Sequence, residues 1–106
     1  DTLANEGRIT SATDLTVSAG TINNSGTLGS TGNLRLAGST LLNQNGLIFS
    51  GGDMALRIDT FTNRFADVYG LGNVSIARDD NDGQSSAINN LSATIESGGD
   101  LKLAAA

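Results

Sequence analysis

The sequence contains no cysteine, histidine, proline or tryptophan. Without cysteine there is no disulfide framework, and without cysteine or histidine there is no ordinary zinc site. The same absences remove Ser-His-Asp and Cys-His catalytic groups. Basic residues are scarce: six Lys and Arg against eleven Asp and Glu leave a net charge of −5. That balance opposes nucleic-acid binding, which relies on clustered cations. No apolar run approaches the roughly 18 residues of a membrane-spanning helix, so no membrane insertion is expected. The N-terminus, Asp1-Thr2-Leu3, lacks the basic and apolar regions of a signal peptide. A cysteine-free chain also suits an exported protein that need not oxidise.

Small polar residues fill the space. Gly contributes 14 residues, and Asn, Ser and Thr 11 each, together 47 of 106. Leu, Ile, Val and Phe supply 26, which suffices for a thin core and lies above the level of disordered chains. The length corresponds to one domain or a piece of one.

A repeat of about 20 residues organises the chain. Apolar pairs six residues apart recur as Ile9/Leu15, Leu28/Leu34, Ile48/Met54, Val68/Val74 and Ile95/Leu101, with first members spaced by 19, 20, 20 and 27 residues. Each second member opens a stretch alternating with period two, such as Leu34-Arg35-Leu36. Further columns fall into register. One is apolar: Leu3, Ile22, Leu41, Phe61 and Ile88. Another is Asn throughout: Asn5, Asn24, Asn43, Asn63 and Asn90. Asp14, Asn33, Asp53, Asn73 and Asp100 precede the second strand, and Thr13, Gly32, Gly52, Gly72 and Gly99 precede them. Ser11, Ser30, Ser50, Gly70 and Ser97 form one more.

A unit this short, poor in helix formers and lacking a 3.6-residue stripe, fits one turn of a β-solenoid. The expectation is an all-β parallel β-helix of about five coils, each with three short strands, rungs about 4.8 Å apart. The Asn column is expected to form a side-chain amide ladder. The Gly-Asp/Asn column is expected at tight turns needing positive φ.

The 27-residue step marks an insertion, placed at 78–87 and expected to be an exposed loop. Read as a calcium loop with Gly83 at its sixth position, it has Asp80 and Asp82 in place but fails at Arg78 and Asn89. No metal or other cofactor is expected. Arg78 is expected to have turned outward, with Asp79 or Asp80 as partner. The chain starts in mid-unit and ends on Ala104-Ala105-Ala106, which suggests one continuous segment, 1–106, excised from a longer rod.

The units 21–36, 42–56 and 95–103 share an apolar-x-Ser strand and then Gly-Asp/Asn-apolar-x-Leu, and the first two open on an Asn-Gly-type corner. They resemble filamentous-haemagglutinin repeats. The resemblance implies right-handed β-helical shafts, in keeping with the crossover rule. It also implies very large proteins of Gram-negative bacteria, exported through an outer-membrane transporter by two-partner secretion and placed at the cell surface. Such proteins include adhesins and the stalks of contact-dependent growth-inhibition toxins. The irregular stretch 61–90 would then lie near a boundary with a receptor-binding region.

Function is expected to be mechanical, a shaft presenting a distal adhesive or toxin-delivery element, with no enzymatic role. The alternating Asp and Asn of the turn column would separate carboxylates by two rungs, about 9.6 Å, which suits turn chemistry better than acid–base catalysis. The alternative is an adhesion module contacting a cell-surface glycan or protein. Its candidate contacts are Phe49 and Tyr69, which share an outward column, with Phe65 and the loop residues Asp79, Asp80 and Asp82. An outward Phe49–Tyr69 pair is otherwise expected to stack as a cross-strand ladder. Arg35, Arg57, Arg64 and Lys102 are read as solubilising.

Overall fold

A computed structural model describes residues 1–81 and 83–105. Among these residues there are thirteen β-strands and no helix. In order they are β1 (Thr2–Asn5), β2 (Arg8–Ser11), β3 (Leu15–Ser18), β4 (Thr21–Asn24), β5 (Thr27–Ser30), β6 (Leu34–Gln44) and β7 (Leu47–Ser50). Then follow β8 (Met54–Arg64), β9 (Asp67–Gly70), β10 (Val74–Ala77), β11 (Ala87–Leu91), β12 (Thr94–Ser97) and β13 (Leu101–Leu103).

Every strand pairs in parallel with its equivalent one coil away, which makes the fold a β-solenoid. One sheet stacks β2, β5, β7, β9 and β12, so five rungs are joined by four steps. The other sheet contains the remaining eight strands. The apolar columns of the sequence are the observed registers. Ile9, Leu28, Ile48, Val68 and Ile95 stack directly. So do Leu15, Leu34, Met54, Val74 and Leu101. Leu3, Ile22, Leu41, Phe61 and Ile88 form the third stack.

The core runs along the axis. Ile22, Leu28, Leu36, Leu41, Ile48, Leu56, Phe61, Val68 and Ile76 are fully buried, and the outer rungs cover them with Leu3, Ile9, Ile88 and Ile95. Each fully buried Leu, Ile, Val or Phe contributes about 2 kcal/mol. Stacking one apolar residue on the next fills the narrow lumen with side chains, so period and packing reinforce each other.

Two expectations are corrected. The first concerns strand number. The second and third strands of a coil are not separate in the middle of the rod: β6 and β8 each run 11 residues through both. The chain turns the corner without leaving the sheet: Ser39 and Thr40 N–H both donate to the Gly20 carbonyl, at 2.9 and 3.1 Å, and the register with β8 skips only Ser39 and Asp59. Ile58 fills the same corner from inside and is fully buried.

The second concerns glycine. No described glycine has positive φ; the left-handed residues are Asn45 (58°), Phe65 (48°) and Ser92 (49°). The glycines before the second strand serve a different need, which is room. A Cβ on Gly32, Gly52, Gly72 or Gly99 would lie 2.3–2.5 Å from the Oδ1 of Asp14, Asn33, Asp53 or Asn73 on the neighbouring coil.

Candidate functional site

Two polar ladders line the solenoid corners. In the first, each Asn Nδ2 donates to the Oδ1 of the next: Asn5 to Asn24, Asn24 to Asn43, Asn43 to Asn63 and Asn63 to Asn90, all at 2.9 Å. The second amide hydrogen goes to a backbone carbonyl, those of Thr27, Leu47, Asp67 and Thr94 for Asn5, Asn24, Asn43 and Asn63. Asn43 and Asn63 are fully buried. Burial without partners would be costly, and the ladder supplies a partner for each amide group.

In the second ladder the Oδ1 of Asp14, Asn33, Asp53 and Asn73 accepts the backbone N–H of the equivalent residue one coil on, at 2.8–2.9 Å. Turn chemistry within a single coil does not describe this column; it joins coils. Asp and Asn alternate freely because only the shared Oδ1 is used. Ser11, Ser30, Ser50 and Ser97 brace the same corner by donating to carbonyls two or three residues on.

The outer face of the smaller sheet carries most of the exposed aromatics. Phe49 and Tyr69 lie opposite each other on β7 and β9, in the column of Thr10, Gly29 and Glu96. The Phe49 ring lies down over Gly29, where an added Cβ would be 2.3 Å from its Cε1. It therefore leans away from Tyr69. Tyr69 is 38% exposed and Phe65 55%. Phe65 occupies the left-handed corner before β9, and the Arg64 guanidinium sits 5.4 Å over its ring.

The insertion folds back onto the rod instead of projecting freely. Asp80 accepts hydrogen bonds from Arg35 Nη1 and Nη2, both at 2.7 Å, and from Arg57 Nε at 2.9 Å. Arg57 is held in turn by the Ser75 carbonyl and hydroxyl. These guanidinium groups, Arg35 first, pull the Asp80 carboxyl down to about 2. Asp79 caps the loop by accepting the Asn81 and Gly83 N–H groups, and the Gly83 bond is the main reason its carboxyl is also lowered. Arg78 points outward and pairs with Asp79 at 3.4 Å. Ser85 closes the excursion: it is buried and donates its hydroxyl to the Ile58 carbonyl at 2.6 Å. Asp82 lies outside the described residues. The reading of Arg35 and Arg57 as simply solubilising is therefore corrected, because each is tied to the loop.

Of the six candidate contact residues, the structure places Phe49 and Tyr69 in one outward column and Phe65 in the corner before β9, and it engages Asp79 and Asp80 in loop bonds elsewhere. Among the described residues no cluster of three or more acidic, His or Cys side chains is placed to hold a metal ion. The recurring chemistry is coil-to-coil bonding, and it follows the repeat from end to end. The model of the haemagglutinin repeat matches residues 1–57 and 29–106. The chain belongs to the haemagglutinin repeat family. No curated protein and no solved structure matches it. Haemagglutinin repeats are structural segments of large secreted, adhesin-like proteins.

For this haemagglutinin-repeat segment, sequence reasoning missed the Arg35–Asp80–Arg57 cluster and the left-handed corner. The corner did leave a trace. The Asn column stands three residues before the next strand at Asn5 and Asn24, and four before it at Asn43, Asn63 and Asn90. The extra residue is the one with positive φ.

Proposed function

We propose that this segment is a load-bearing shaft, exported through an outer-membrane transporter by two-partner secretion. At the surface of a Gram-negative cell it holds a distal adhesive or toxin-delivery element away from that cell. The observation that carries the reading is the unbroken amide ladder from Asn5 to Asn90 beside a continuous apolar column. Among the described residues no buried side-chain polar atom lacks a partner. A rod of this kind resists bending because displacing one rung breaks hydrogen bonds in both neighbours. We assign it no reaction. The carboxylates of Asp14 and Asp53 each use one oxygen to hold the next coil's backbone, which supports a structural role.

The test removes one coil from the full-length protein. Deleting residues 47–66 joins Gly46 to Asp67 in the register of Leu47, so the columns continue. Adhesion or toxin delivery is expected to persist with a shorter reach. Loss of activity with undiminished surface display would overturn the spacer reading.

A further inference from the structure

The chain has four aromatic side chains, and only Phe61 is in the core. Of the other three, Phe49 and Tyr69 lie on the outward face of β7 and β9, and Phe65 occupies the corner before β9. Tyr69 has Glu96 directly across the rung on β12 and Asp67 two residues earlier on its own strand. By strand geometry these lie about 4.8 and 6.6 Å from it, on the same outward face. Between them is a shallow cleft of about 370 Å³ lined by Leu47, Asp67, Val68, Tyr69, Thr94 and Glu96.

Many acids elsewhere on the rod are engaged by the protein itself, although the Glu6 and Asp100 carboxylates, like the two here, have no partner among the described residues. Asp14 and Asp53 hold backbone N–H groups, Asp59 holds Ser86, and Asp79 and Asp80 hold the loop. Neither the Asp67 nor the Glu96 carboxylate bonds or pairs with a described residue, and the Tyr69 hydroxyl has no such partner either. Two unpaired carboxylates beside a ring face form a local negative field, and a cation answers both. Leu47, which lines the cleft, offers apolar surface to the methylene stem of a Lys or Arg. The rod shows the same chemistry at the corner before β9, where Arg64 lies over Phe65. An anionic glycan would be repelled. A neutral sugar would leave two negative charges uncompensated.

We propose that this cleft binds a Lys or Arg side chain of an extended basic segment of a partner polypeptide, held between the Tyr69 ring and the carboxylates of Asp67 and Glu96. The site goes beyond the shaft role and does not depend on it.

The chain supplies its own reporter, because Tyr69 is the only tyrosine and there is no tryptophan. Intrinsic fluorescence therefore reads the site alone. The probe is an acetylated, amidated Gly-Arg-Leu-Arg-Gly peptide titrated onto the folded segment. A saturable change in Tyr69 emission is expected. Asp67→Asn/Glu96→Gln should weaken binding about tenfold, the scale of two exposed ion pairs. Glu6→Gln/Asp14→Asn removes the same charge elsewhere and should change affinity less than about twofold at 0.15 M salt, because distant charges are screened. Circular dichroism confirms that both variants are folded. Equal weakening in the two variants would reduce the effect to net-charge attraction and overturn the site. So would the absence of saturation. A saturable response to a neutral galacto-oligosaccharide that survives Asp67→Asn/Glu96→Gln would reassign the cleft to glycans.

Discussion

Asn63 donates to the Oδ1 of Asn90, 27 residues further along the chain, at the same 2.9 Å that joins Asn43 to Asn63 across 20. The insertion between them leaves no mark on the ladder. The core side of each coil is therefore specified independently of what leaves on the outer side, and a shaft can carry loops without interruption.

The ladder predicts unequal costs along its length. Asn43→Ala would remove the ladder acceptor of one Asn24 amide hydrogen, the other being held by backbone carbonyls, and the donor to the Asn63 carbonyl oxygen. Asn24 and Asn63 are both buried, and leaving each short of this bond should cost about 3 kcal/mol in all. Asn90→Ala acts at an exposed position and removes the last link together with the exposed bond to the Ala93 carbonyl, so about 1 kcal/mol is expected. Urea denaturation of the two variants checks this; equal losses would mean that the ladder does not act as a chain of bonds.

The corner glycines predict a contrast between sites. Gly72→Ala forces a Cβ to within 2.4 Å of Asp53 Oδ1, so the bond from Asn73 N–H must shift or break. The expected loss is about 2 kcal/mol, typical of overpacking. In an Asp53→Ala background the Oδ1 clash is gone and only the 3.0 Å backbone contacts with Gly52 remain, so the double variant should lose less than the two single losses summed. Gly7 has nothing within 4 Å of an added Cβ and no positive φ. Gly7→Ala should raise stability by about 0.5 kcal/mol through the unfolded chain. Thermal unfolding of the four variants, Gly72→Ala, Asp53→Ala, their double and Gly7→Ala, decides, and a loss at Gly7 as large as at Gly72 would refute the steric account.

The columns were legible because a solenoid maps sequence period directly onto spatial stacking. Leu28, Ile48 and Val68 touch for the same reason that they recur. The role of Gly32 and Gly52 was not legible, since their constraint comes from an Asx side chain one coil away and not from their own φ. The Arg35–Asp80 contact was hidden for a related reason. It spans 45 residues and crosses the insertion, where the repeat no longer predicts position. The parity that put Phe49 outward was sound, but parity gives a face and not a rotamer, so the ring's lean over Gly29 could not be read.

The left-handed corner makes a further prediction. Three equivalent positions hold Asn45, Phe65 and Ser92, and a bulky Phe at φ 48° is the least suited of them. Phe65→Asn should relieve about 1 kcal/mol of backbone strain. It also gives up the exposed Arg64 contact, worth about 0.5 kcal/mol. A small net gain in denaturation midpoint is expected. A clear loss would show that the Phe65 ring contributes packing beyond the Arg64 contact.

Acid should release the insertion before it unfolds the rod. The Asp80 carboxyl is held near 2 against an ordinary 3.8, chiefly by Arg35 and then Arg57. A lowered carboxyl stabilises the closed loop fully above the unfolded-state value and loses that contribution as pH falls through the folded one. The loop should therefore stay latched at neutral pH and open between 3.8 and about 2. Asp80→Asn should open it at every pH, and raising salt should loosen the wild-type latch because the pair is exposed. Amide hydrogen exchange reads the two parts separately. Exchange at Asn81 and Gly83 should quicken in Asp80→Asn, while amides beside the buried Asn43–Asn63 link keep their protection. Release already complete at pH 5, or an Asp80→Asn loop as protected as wild type, would show that the loop is held by the Ser85–Ile58 and Ser86–Asp59 bonds instead.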